Sequence, residues 1–102
     1  MAKASVTFEG GGGSWIPERQ SVGFLGLSAL GPVEFLITRE ALEQLLNPDL
    51  DGIDGEYALD IFNEFEADIY RIAQREFVKR LGGEPPILLS ASDVDFPDSH
   101  AV

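Results

Sequence analysis

Three stretches of this sequence hold residues of the kinds that do chemistry. The first is Asp49-Leu-Asp51-Gly-Ile-Asp54-Gly-Glu56, four carboxylates on a glycine-bearing segment. Calcium takes clusters of oxygen ligands from turning loops of this sort. An EF-hand register counted from Asp49 puts Asp51 at the third position, but Ile53 falls at the fifth, Asp54 at the sixth and Asp60 at the twelfth. The required acid or amide, glycine and bidentate glutamate are therefore missing from their places. Asp49, Asp51 and Asp54 remain a secondary candidate for a cation, and the simpler reading is a solvated loop whose last acid caps a helix. The second stretch is the glycine run Gly10–Gly13 with Ser14. A phosphate-cradling loop needs a lysine after its last glycine and a helix behind it. Here Ser14-Trp-Ile-Pro17 follows, so a plain flexible connection is expected. The third is Asp98-Ser99-His100, the last holding the only histidine. A nucleophilic triad is a constellation in space with an oriented base, and three sequence neighbours near a terminus do not make one. Eighteen acids make some carboxylate pair inevitable, which removes the information such a pair would carry. No catalytic residue and no cofactor are assigned.

Composition narrows the classes further. There is no cysteine, which excludes both a disulfide framework and a thiolate zinc site. The net charge is −11 at pH 7, and its distribution is uneven. Residues 49–70 hold eight acids and no base, whereas 71–83 hold four bases and one acid. No extended basic stripe exists to displace counterions from a phosphate backbone, so nucleic acid is not expected as a partner. No apolar run approaches the roughly 18–20 residues of a membrane span, and the N-terminal residues lack the apolar core of a signal peptide. A cytoplasmic location without membrane partners is the default expectation.

The elements that must position these residues follow from periodicity. Glu56 to Leu81 is expected to form one long helix, with Ala58, Ile61, Phe62, Phe65, Ile69, Ile72 and Ala73 recurring at intervals of three and four along one stripe. Asp54 serves as its N-cap, Gly82-Gly83 as its stop, and Pro85-Pro86 forbids resumption. Ser5–Glu9 alternates as a short strand. Trp15 and Ile16, held by Pro17, are read either as a plug closing one end of the core or as an aromatic anchor for a partner. Ser21–Ser28 and Val33–Thr38 form a hairpin joined by Ala29–Pro32. Val22, Phe24, Val33, Phe35 and Ile37 share one parity; Leu25, Leu27 and Leu36 share the other. Thr38 caps a short helix over 39–46 with Leu42, Leu45 and Leu46 as its buried stripe. Ile87–Ser90 reads as a last strand, with Leu88 pointing away from Ile87 and Leu89.

The order β-β-β-α-α-β predicts a two-layer α+β fold, a small antiparallel sheet with two helices packed on one face. It is expected as a single domain over 1–95, followed by a mobile acidic tail over 96–102. Val6-Thr-Phe8, Pro17-Glu-Arg19 leading into Ser21-Val-Gly-Phe24, Phe35-Leu-Ile-Thr-Arg-Glu-Ala-Leu42, Ile61-Phe62 in a long helix, and Ile87-Leu-Leu89 with Asp93 together resemble the bacterial family called domain of unknown function 1488. The resemblance spans roughly residues 5–95, departs from the family in the glycine run and in the Asp-rich segment, and implies a small α+β domain without a catalytic residue. Function is then expected from surfaces. Leu25, Leu27, Leu36 and Leu88 would form an apolar patch on the sheet face away from the helices, with Trp15 a further contact residue. Such a patch marks a protein-interaction or self-associating module, a homodimer or a complex with another protein. The alternative is a small ligand- or cation-binding protein or enzyme using carboxylates of the 49–60 loop, which would require a concave pocket holding acids of displaced pKa.

Overall fold

A computed structural model describes residues 6–8, 10, 12–29, 31–47, 49–50, 52–79, 84 and 86–94. The expected tail, His100, Gly82-Gly83 and Asp51 lie outside the described residues. The chain runs β1 (Val6–Thr7), β2 (Ser14–Ile16), β3 (Ser21–Ser28), β4 (Gly31–Thr38), α1 (Arg39–Leu46), α2 (Gly55–Glu64), α3 (Glu66–Lys79) and β5 (Ile87–Leu89), with short 3-10 turns at Pro17–Arg19 and Ala91–Asp93. This is the α+β class, a five-stranded open sheet with three helices against it.

The β3–β4 hairpin is the centre of the sheet, paired antiparallel from Ser21↔Thr38 to Ser28↔Gly31. It extends further toward the turn than the sequence pattern predicts, leaving a two-residue connection where four were expected. Its inward residues Val22, Phe24, Val33, Phe35 and Ile37 are all buried, joined by Ile87 and Leu89 from β5. Ala58, Ile61 and Phe62 of α2 and Ile69, Ile72, Ala73 and Phe77 of α3 close the core from the other layer. Burying one such side chain contributes about 1.5–3 kcal/mol, which is why parity fixes the face.

Beyond the shorter hairpin connection and the added strand β2, two features differ from expectation. The helix predicted over 56–81 is two helices, because Phe65 leaves helical geometry at φ −106°, ψ 25°. The break lets α2 lie on β2 and β3 while α3 lies on β1 and β5. The apolar stripe keeps its phase across Phe65, so periodicity does not reveal the bend. The sheet is also mixed: β5 runs parallel to β4, with Phe35↔Ile87, Leu36↔Leu88 and Ile37↔Leu89 in register. α1, α2 and α3 form the long crossover that a parallel neighbour requires.

Both helix caps form as expected. The Thr38 side chain accepts the Ala41 N–H at 3.1 Å, and Asp54 Oδ1 accepts the Tyr57 N–H at 2.8 Å. Glu43 Oε2 accepts the Ile53 N–H at 3.2 Å, which ties the end of the acidic loop back to α1. Among the described residues no helix is long and apolar enough to cross a membrane.

Candidate functional site

The outward face of the sheet is the candidate site, and the strands determine which residues it presents. Positions opposite in the ladder share a face, so Thr7, Leu27 and Pro32 form one row, and Leu25 and Glu34 the next. Ser14, Gly23, Leu36 and Leu88 form the third row, with Ile16, Ser21 and Thr38 at the far end. Glu34 is the only charged residue among these strand positions. In a chain where 25% of residues are charged, this face is depleted of charge.

One end of the face is closed. Gly23 carries no side chain, and Ile16 Cδ1 and Leu36 Cδ2 come within 2.8 and 3.4 Å of where its Cβ would stand. Ile16 and Leu36 meet over the bare backbone, and Leu36 is only 2% exposed. The other end is open, with Leu25 64% and Leu27 50% exposed, and Leu88, in the third row on the β5 edge, is 42% exposed. Among the described residues five large apolar side chains are exposed, and three of them lie here; Tyr57 and Val78 stand on the helix layer. Trp15 belongs to the opposite face. It pairs with Val22 on the core side and packs against the core, its indole within 2.5 Å of the position a Cβ on Gly55 would take.

The edge of the sheet beside Leu25 is interrupted. The pairing Thr7↔Leu27 gives way to Ser14↔Gly23, so six residues, Phe8–Gly13, stand opposite three, Phe24–Gly26. Gly10 and Gly12 adopt φ of +84° and +81°, a region that residues other than glycine rarely enter. Phe8 anchors the segment on the helix side, stacking on Tyr70 with ring centroids 4.4 Å apart and touching Phe24 and Phe35. Gly26 leaves room for that ring, since a Cβ there would stand 2.7 Å from Phe8 Cε1. Val6 N–H donates to Gln74 Oε1 at 2.9 Å. The Tyr70 hydroxyl donates to Glu66 Oε2 at 2.9 Å, and its pKa is pushed up to about 12, first by burial, then by that hydrogen bond and the Glu66 charge.

Two open grooves result on the outward face. One of about 420 Å³ is lined by Gly10, Gly12, Gly13, Ile16, Leu25 and Glu34 among others. A second of about 250 Å³ is lined by Thr7, Gly10, Leu25, Gly26, Leu27 and Pro32. They share Gly10 and Leu25, making a trough along β3. Sequence parity identified Leu25, Leu27 and Leu88; it missed the trough and Glu34, whose signal was a lone acid among apolar residues of its strand.

The acidic loop is arranged differently. Asp54 is engaged as the cap of α2, and the Asp49 N–H donates to Asn47 Oδ1 at 3.0 Å. Among the described residues no three His, Asp or Glu side chains are grouped to hold a metal ion; Asp51 lies outside those residues.

Comparison with known proteins agrees with this architecture. No curated protein matches the chain. A crystal structure of a protein of unknown function from the DUF1488 family of Shewanella loihica PV-4 superposes with a TM-score of 0.67 at 19% identity, covering 93% of this chain and 100% of that one. At that identity the likeness establishes the fold. The family profile described as "Protein of unknown function (DUF1488)" matches residues 6–84, most of the chain, and the protein therefore belongs to the DUF1488 family.

Proposed function

We propose that this protein is a non-catalytic interaction module whose outward sheet face receives a protein partner. The observation that carries the reading is the outward face itself, where Leu25 and Leu27 at its open end and Leu88 on its β5 edge are exposed, and Glu34 is the only charged residue among the described strand positions. A sheet with helices on one side normally turns polar residues to water on the other. Interface cores are depleted of charge and enriched in large apolar groups, and this face has both properties. The helix layer has the opposite character, with Glu56, Asp60, Glu64 and Asp68 along α2 and α3. Those acids supply a field that speeds the approach of a basic surface without forming its contact.

The test is site-specific photo-crosslinking in the cells that make the protein. Leu27 is replaced by p-benzoylphenylalanine, and exposed Tyr57 on the helix layer is replaced in a control. Adducts of discrete mass from position 27 and none from position 57 are expected. No adduct from position 27, or the same adducts from both positions, refutes the reading.

A further inference from the structure

Resting on the reading of that face as an interface, we infer that the trough along β3 binds an extended segment of a partner protein, with an apolar side chain over Leu25 and a lysine or arginine against Glu34. Shape, backbone and charge each favour this occupant. The two grooves share Gly10 and Leu25, and the larger, of about 420 Å³, falls in the range of small ligand sites. On β3 their lining residues run from Gly23 to Leu27. At about 3.3 Å per residue this accommodates roughly four residues of extended chain.

The backbone of β3 also favours an extended guest. Among the described residues Phe24–Gly26 has no strand partner on the β1/β2 side. Strand addition at such an edge supplies affinity through main-chain hydrogen bonds, while alternate side chains supply selectivity. Leu25 lies directly across from Glu34 in the hairpin, about 5 Å between Cβ atoms, so one extended segment reaches both. Among the described residues Glu34 is the only charged one lining either groove. A net charge of −11 opposes a second copy of this chain at the same place and attracts a basic segment.

The experiment is an amide NMR titration of the full chain with three blocked peptides. The first is Lys-Leu-Lys-Val-Lys-Thr; the second has glutamate for every lysine; the third has serine for leucine and valine. The first should shift the amides of Gly10, Gly12, Gly13, Gly23, Leu25 and Gly26, and the other two should bind much more weakly. Glu34→Gln, a change at an exposed position, should weaken the first peptide about two- to fivefold, the range of one exposed ion pair. Shifts confined to residues 54–68, or equal affinity for Glu34→Gln, would mean general attraction to the acidic layer and would overturn the assignment. So would the absence of any shift. Shifts at Leu25 and Leu27 that vanish on dilution of the protein alone would assign the trough to a second copy. That result overturns the peptide assignment and leaves the interface reading standing, whereas failed crosslinking from position 27 removes both.

Discussion

Gly55 is the first residue of α2, a position where alanine ordinarily improves a helix by up to about 1 kcal/mol. The Trp15 indole reverses that expectation. A Cβ at Gly55 would stand 2.5 Å from Trp15 Cδ1, 2.6 Å from Nε1 and 2.8 Å from Cγ, all shorter than real contacts allow. Three atoms of one rigid ring cannot be relieved by a rotation of a flexible tip, so ring or helix must shift. Overpacking of this kind costs about 1–3 kcal/mol. The clash offsets or outweighs propensity, and Gly55→Ala should destabilise the protein by up to about 2 kcal/mol, the difference of the two effects. With Trp15→Ala the obstacle is gone, and adding Gly55→Ala in that background should be neutral or stabilising by up to about 1 kcal/mol. Urea unfolding of the four proteins, followed by far-ultraviolet circular dichroism, measures the cycle directly. If Gly55→Ala stabilises the parent as much as it stabilises the Trp15→Ala variant, the indole is not seated on Gly55 and the packing argument fails.

Two further outcomes follow from the same contacts. The Tyr70 phenol, with a folded pKa of about 12 against an ordinary 10.0, favours its neutral form in the fold. Its contribution to stability is therefore complete below pH 10 and is lost as pH rises through about 12. Phenolate absorbance should show one tyrosine titrating late, and Glu66→Gln should bring it down without restoring the ordinary value, since burial is the largest cause. Thr38→Ala and Asp54→Ala each remove a side-chain acceptor from a helix N-terminus and should each cost about 1 kcal/mol in the same urea assay. Losses below the error of the measurement in both would show that those caps do not bear on stability.

The hairpin and α1 are legible in the sequence because their signals are local. Alternation over Ser21–Ser28 assigns Val22 and Phe24 inward, and a threonine before Arg39 marks a helix start wherever the chain goes next. The direction of β5 is not local information. Ile87-Leu-Leu89 has the same alternation in either direction, and only the path of the helices sets it parallel to β4. β2 is hidden for another reason: its three residues are too few for a period, and its partner register is displaced from that of β1 by the glycine segment. Glu76 shows the limit of reading polarity as exposure. It is buried on α3, ion-paired with Arg75 and Lys79 at 3.3 Å each, where the charge pattern alone places it in water. For the site, parity found the exposed leucines, while the trough depends on a three-residue mismatch between two segments that a single strand's pattern does not contain.

The parallel seam between β4 and β5 also bears on how the molecule assembles. The β3–β4 hairpin closes over a two-residue turn, a contact that a chain forms in microseconds at little entropic cost. Ile87 meets Phe35 only after half the chain has been drawn back through three helices. Until that happens Phe35 and Ile37 lack β5 beside them, and the edge of β4 they occupy is open to any other extended chain. A pairing between residues so far apart in the chain is the kind that slows folding, and the β4 edge is the one an extended neighbour would meet while the seam is open.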